Sequence, residues 1–249
     1  PQTPNPKPQT PNPKPLEVCS SSIDTVIRYL PRIDINIQMF SLLRRGFSSS
    51  GVKTFTVVGG GQMGTGIAIV AANNAKINTQ IVCENEKGVG HCRNFVEVWI
   101  DKELKKNKVD EKGKQDFLKR ISYVTDLAAA KNSEFVVEAV YENFDLKKKI
   151  FETLDQVCPP STILASNTSS ISITKIAATT KRPSQVIGMH FFNPVPVMKL
   201  VEMISAIQTS DQTRETTRKY TRSNPGWPSH SEKKSSTLLM FPDLLLTEF

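Results

Sequence analysis

From Lys53 to about Ile207 apolar runs alternate with segments of helical period. TFTVVG reads as a strand, Met63 to about Lys76 as a helix and TQIVCE as a second strand. A long basic helical region follows through about Arg120. EFVVEAV is then a strand, LKKKIFETLDQV a helix, TILASN a strand and ITKIAATT a helix. Two last apolar runs, IGMHFF and MKLVEMI, flank a turn stiffened by Asn193-Pro194 and Pro196, which predicts two buried extended segments joined by a rigid connection. Strands alternating with helices predict an α/β fold with a doubly wound, mostly parallel sheet. The pattern stops near Thr209, and residues 208–249 are expected to be an aberrant tail.

Three glycines sharpen this picture. Gly59, Gly61 and Gly64 form GxGxxG directly after the first strand and at the mouth of the first helix. Gly59 permits the tight turn, Gly61 admits a pyrophosphate against the backbone, and Gly64 lets helix and sheet approach closely, so the sheet is expected to be of Rossmann type. The helix N-terminus, beginning at Gln62 and Met63, then offers unpaired N–H groups to phosphates. Glu84, twenty residues beyond Gly64, ends the second strand where an acid can bind ribose hydroxyls and repel a 2′-phosphate, which favours NAD over NADP. A solvent-facing glutamate is the competing reading, and the glycine turn alone also admits a flavin.

His190 and Glu202 lie on the two apolar flanks of the proline turn. If those flanks pair, a carboxylate can hold one imidazole nitrogen and leave the other to accept a substrate proton. A core histidine beside an unrelated glutamate is the alternative.

Composition narrows the partners. The 249 residues carry a net charge of +8, which admits nucleic acid, an anionic cofactor or an organelle that imports basic precursors. The positive residues are dispersed and no aromatic residues interleave with them as stacking platforms, which argues against nucleic acid. Cys19, Cys83, Cys92 and Cys158 show no CxxC or metal-ligand spacing and are expected to be free thiols in a reducing compartment. No apolar stretch approaches the length of a membrane span.

Residues 1–38 open with an exact repeat of QTPNPKP and are expected to be disordered or spurious upstream sequence. From Met39, MFSLLRRGFSSSGVK is basic, serine-rich and free of acids, so residues 39–52 are expected to be a mitochondrial transit peptide.

VVGGGQMGTGIA, FVVEAVYENFDLKKKIF, ILASNTSSISI and GMHFFNPVPVMKLVEMI, in this order, closely resemble the L-3-hydroxyacyl-CoA dehydrogenases of mitochondrial fatty-acid β-oxidation over residues 54–207. The resemblance implies that His190 is the general base and Glu202 its orienting partner. It implies that Ser169 lies near the substrate oxygen and nicotinamide, and that Asn193 helps hold the active-site geometry. Glu142, Lys147 and Asn167 would line the cofactor with Gln62 and Met63 of the glycine turn, although Lys147 also fits a solvated helix face. Lys106 would meet coenzyme A phosphates, or simply be solvated. The family acts on acyl-CoA substrates, works as a homodimer in the mitochondrial matrix and continues into an all-helical second domain, for which residues 208–249 offer no counterpart. Permitted codons for STLLMFPDLLLTEF, shifted by one nucleotide, can give SVDVPGFIANRI, which is similar to the family's entry into that domain. A frameshift near 224–227 is the resulting expectation. A catalytically inactive dinucleotide-binding fragment, or a crystallin-like structural relative, is the alternative function.

Overall fold

The structure, a computed structural model, describes residues 53–198, 200–223 and 229–234. The proline-rich repeat and the basic segment at 39–52 lie outside the described residues.

Eight strands form one sheet: β1 (Thr54–Val58), β2 (Asn78–Val82), β3 (Ile121–Val124), β4 (Phe135–Glu138), β5 (Ile163–Ser166), β6 (Val186–Phe191), β7 (Leu200–Ser205) and β8 (Ser229–Lys234). Their order across the sheet is β3-β2-β1-β4-β5-β6-β7-β8. The first six are mutually parallel, β7 runs antiparallel to β6, and β8 runs parallel to β7. Strand order therefore reverses between β1 and β4, and in such sheets ligands bind in the crevice outside the strand ends at that switch point.

Among the described residues six α-helices cover the sheet: α1 (Gln62–Ile69), α2 (Glu86–Lys105), α3 (Glu111–Lys119), α4 (Phe144–Val157), α5 (Ile173–Ala177) and α6 (Asp211–Ser223). Phe55, Val57, Ile81, Phe135 and Val137 pack on one face with Ile67 of α1, Val96 and Ile100 of α2 and Phe117 of α3. Val58, Val136 and Leu164 pack on the other with Ile150, Phe151 and Leu154 of α4 and Ile176 of α5. Burial on both faces is why these strands read as continuous apolar runs rather than as alternation.

Three departures from the pattern reading have physical causes. The basic region is two helices, broken where Asn107 takes a left-handed φ of 55° and restarted by Asp110, whose side chain accepts from the Gly113 amide. Strand β3 is hidden at the end of that region because Ile121 is the one buried residue among its four, so no apolar run marks it. The third departure corrects the expected boundary at residue 207, since α6 continues the fold. Its inward positions, Thr213, Thr217, Tyr220 and Thr221, follow helical spacing but are threonine and tyrosine, so no apolar stripe announces them. Tyr220 stacks on Phe55 at 5.9 Å and on Phe135 at 5.3 Å, the first residues paired between β1 and β4. The backbone of β8 lies within the same supposed tail and pairs along β7 from Leu200↔Ser229 to Ser205↔Lys234.

The first helix closes without the glycine often used there. A π-helical turn at Val70–Asn74 is followed by Lys76 with φ 58°, which turns the chain into β2.

Candidate active site

The glycine turn lies at the switch point. Gly59 has φ +116°, and a Cβ there would come within 2.6 Å of the Ala139 carbonyl oxygen beyond β4. A Cβ on Gly64 would stand 1.9 Å from the Gly59 carbonyl oxygen, so α1 and the turn touch through backbone. A Cβ on Gly61 would meet nothing within 4 Å. Gly61 is also the N-cap of α1 and supplies no side-chain cap, which leaves the amides of the first turn, at Gln62 and Met63, facing an open cradle. A diphosphate fits this geometry: backbone donors, helix dipole and free space converge. Glu84 sits two residues beyond the end of β2, exposed and unpaired among the described residues.

Beneath the turn are two thiols. Cys83 and Cys92 are buried with sulfurs 3.4 Å apart, and Cys92 donates to the Gly60 carbonyl at 3.0 Å. They are free, as is Cys158; Cys19 lies outside the described residues. Burial, with the hydrogen bond to Cys92, pushes the Cys83 thiol up to about 12, and burial pushes Cys158 to about 11. In the unfolded chain such thiols ionise near 9, so the folded state holds their protons more tightly and loses stability as pH rises from about 9 through those values. The melting temperature is expected to hold below pH 8.5 and fall steadily above pH 9, with Cys83→Ala weakening the fall; an unchanged alkaline profile in that variant would refute the assignment.

On the other side of the switch point the β6–β7 hairpin sets His190 directly opposite Glu202. Nδ1 of His190 lies 3.0 Å from a Glu202 carboxylate oxygen, and the side chains are 23% and 14% exposed. The Phe192 ring leans on the imidazole with centroids 4.8 Å apart. Nε2 is thus the nitrogen left to the cleft. The Asn193–Pro194 peptide is cis, and the Asn193 side-chain oxygen accepts from Gln62 Nε2 at 3.1 Å, so the histidine hairpin and the glycine turn are tied together.

Both open on one cleft of ≈ 350 Å³, lined by Met63, Glu142, Lys147, Asn167, Ser169, His190 and Asn193 among others. Glu142 holds the turn after β5: one carboxylate oxygen accepts from the Thr168 hydroxyl, from the Ser169 and Ser170 amides at 3.2 Å each, and from the Ser170 hydroxyl at 2.9 Å. Partial burial pushes the Glu142 carboxyl up, but the Thr168 hydrogen bond, the Lys147 charge and the Ser170 bonds outweigh it and hold it below the ordinary carboxylate range. Ser169 is fixed by its amide, and its hydroxyl is unengaged among the described residues. The Asn167 side-chain oxygen accepts from the Phe191 amide at 2.8 Å, tying the end of β5 to the residue after His190.

Lys147 is buried rather than solvated, at 1% exposure. Its ammonium donates to Glu138 at 2.6 Å and to the Val140 carbonyl at 3.3 Å, and lies 3.3 Å from Glu142. Glu138, fully buried at the end of β4, escaped the sequence reading, as did Ser166 and Thr168. The available signal was an acid closing the otherwise apolar FVVE. Two expected residues are not brought into the cleft. Glu84 lies beyond β2, and Lys106, exposed at the C-cap of α2, bridges Glu103 at 3.3 Å alongside Lys108 at 3.2 Å. No helix among the described residues is long and apolar enough to cross a membrane.

Comparison with known proteins follows the same outline. Residues 54–226 match the family model described as 3-hydroxyacyl-CoA dehydrogenase, NAD binding domain. A probable 3-hydroxybutyryl-CoA dehydrogenase of Bacillus subtilis is 44% identical over 162 residues, covering 65% of this chain and 56% of that protein. The 3-hydroxybutyryl-CoA dehydrogenase of Clostridioides difficile is 41% identical over 160 residues, covering 64% and 57%. The crystal structure of an (S)-3-hydroxybutyryl-CoA dehydrogenase from Ralstonia eutropha superposes with a TM-score of 0.69 at 41% identity, over 73% of this chain and 64% of that one. The chain thus spans about half the length of these curated relatives. The family match runs to residue 226 and so takes in α6, which agrees with the extended boundary.

Proposed function

The chain belongs to the 3-hydroxyacyl-CoA dehydrogenase family through its NAD-binding domain, and from that premise we propose that it serves the NAD-dependent oxidation of an L-3-hydroxyacyl-CoA to the 3-ketoacyl-CoA. One observation carries the reading: His190 and Glu202 face each other across β6 and β7 at 3.0 Å, on the cleft that the glycine turn also borders.

Bound NAD+ supplies the hydride acceptor, at the phosphate cradle of Gly59, Gly61 and Gly64 and the cleft beyond it. The protein's part is proton management and placement. Nε2 of His190 accepts the proton of the 3-hydroxyl as hydride leaves the same carbon, and Glu202 stabilises the imidazolium that results while fixing the ring. Ser169 offers a free hydroxyl to the substrate oxygen. Asn193 and Asn167 hold the histidine hairpin against the glycine turn and the β5 end. Glu84 is assigned to the ribose hydroxyls, which makes NADH the better cofactor over NADPH, and Lys106 to coenzyme A phosphates.

The biological setting assigned here is fatty-acid β-oxidation by a homodimer in the mitochondrial matrix. The support is the basic, acid-free composition of 39–52, whereas the relatives named above are bacterial. A fluorescent fusion of residues 39–60 that stays in the cytosol would remove that localisation.

Purified protein is expected to oxidise NADH when acetoacetyl-CoA is added, and to do so poorly with NADPH. NADH binding without turnover would instead favour a non-catalytic dinucleotide-binding role, and the absence of both would overturn the proposal.

A further inference from the structure

Three charged side chains lie on and behind one wall of the cleft. Glu138 is wholly buried and Lys147 nearly so, while the Glu142 side chain is 36% exposed. Among the described residues, every hydrogen bond to the Glu138 side chain is one it accepts. One oxygen takes the Val140 amide at 2.7 Å and the Lys147 ammonium at 2.6 Å, and the other takes the Ser166 hydroxyl at 2.6 Å. The hydrogen-bonding pattern is that of a carboxylate. Lys147 is equally committed, with Glu138, the Val140 carbonyl and Glu142 around its ammonium. Two carboxylates against one ammonium leave one negative charge in excess at the wall that faces His190.

A simple anion-binding role for Lys147 does not need this arrangement. A cation meant only to attract phosphate would be left short of partners, whereas this one is neutralised from behind by a carboxylate that water cannot reach. Isolated buried charges are expensive, and a buried carboxylate is tolerated only when fully bonded, as Glu138 is. The two oxidation states of a nicotinamide differ by one positive charge on the ring, so a wall with excess negative charge discriminates between them. In a partly desolvated cleft that discrimination is felt more strongly than in water.

Building on the dehydrogenase reading, we propose that Glu138 is a positioning residue which sets the charge of the cleft wall through Lys147, and thereby favours the oxidised over the reduced nicotinamide. Ser166 fixes the second Glu138 oxygen, so the charge is held in place rather than free to follow the ligand. Glu138 itself touches no ligand.

The test compares dissociation constants for NAD+ and NADH, measured by calorimetry on the whole chain. The readout is their ratio, because a general loosening of the fold weakens both ligands together. Glu138→Gln keeps the shape and removes the charge; with its oxygen toward Val140 and Lys147, its NH2 group donates to the Ser166 hydroxyl oxygen. It should shift the ratio against NAD+ by roughly three- to tenfold. Lys147→Gln adds to the excess negative charge and should move the ratio the opposite way, even if overall affinity falls. The pair Glu138→Gln/Lys147→Gln restores the excess of one and should return the ratio toward that of the unmodified chain. Ser166→Ala serves as the structural control, with lower stability and an unmoved ratio. If Glu138→Gln does not fold, the sign of the Lys147→Gln shift decides alone. A ratio unmoved in both single variants, or moved in the same direction, overturns the inference while leaving the dehydrogenase reading standing. Failure of the unmodified chain to bind either nucleotide overturns the reading beneath it.

Discussion

Replacing His190 by glutamine is expected to lower turnover of acetoacetyl-CoA and NADH by about 10²–10⁴-fold, the range that a positioned general acid–base contributes. NADH affinity should stay within a factor of about two, because surface and cleft substitutions away from packing features generally perturb structure little. The separation follows from geometry. His190 lies at the penultimate position of β6, with Nδ1 held by Glu202 at 3.0 Å, whereas the phosphate cradle is built by backbone at Gly59–Gly64. Glutamine preserves a hydrogen-bonding side chain there and loses the ability to carry a proton at neutral pH. Glu202→Gln should cost less, since it leaves the base in place with a poorer orienting partner. The double variant should fall scarcely below His190→Gln, because groups that act as a unit are not additive. Stopped-flow or steady-state loss of NADH absorbance, beside a fluorescence titration of NADH, measures both quantities. Undiminished turnover in His190→Gln would remove the histidine from the chemistry. A parallel collapse of NADH binding would mean that the substitution had damaged the cleft instead.

Much of this site could be read from sequence, for identifiable reasons. Glycine is the residue backbone geometry most visibly demands, so Gly59 at φ +116° and Gly64 against the Gly59 carbonyl were legible in the GxGxxG spacing. The proline-bounded hairpin was legible too, because a rigid turn between two apolar runs sets their pairing, and His190 and Glu202 proved to be register partners. What escaped notice was polar on the inside. Glu138 closes an apolar strand and is made tolerable, beyond the nearby Val140 amide, by Lys147, nine residues on, and by Ser166 on the neighbouring strand. Neither partner can be identified without the fold. Lys147, readable equally as a solvated helix residue, is buried instead, which only the fold reveals. The inward face of α6 is threonine and tyrosine, whose hydroxyls bond locally, as Thr217 does to the Thr213 carbonyl at 2.8 Å, so a hydrophobic pattern could not reveal it. Spacing places Glu84 and Lys106 as candidates, yet both are exposed outside the cleft, Glu84 unpaired among the described residues and Lys106 bridged to Glu103.

The glycine turn yields the second large effect, as a contrast between two neighbours. Gly64→Ala places a carbon where the Gly59 carbonyl oxygen already lies at 1.9 Å, and both colliding atoms belong to rigid backbone. Relief requires α1 to move off the turn, which carries Ile67 and Ile69 out of fully buried positions. A destabilisation of roughly 3 kcal/mol or more is expected, at or beyond the upper end of ordinary overpacking, and NADH binding should be lost with it. Gly61→Ala is different in kind. The new carbon meets no protein atom within 4 Å, and φ −74° with ψ −178° is extended backbone that any residue adopts. Its effect on stability should stay within about 1 kcal/mol, the scale of an N-cap exchange. NADH affinity should nevertheless fall at least about tenfold, because a methyl group blocks close approach of a diphosphate to the first-turn amides. Urea melts and NADH titrations on the two variants separate a glycine kept for the fold from one kept for the ligand. Equal losses of stability in both would show that the space at Gly61 is closed in solution, and the phosphate cradle would then have to lie elsewhere.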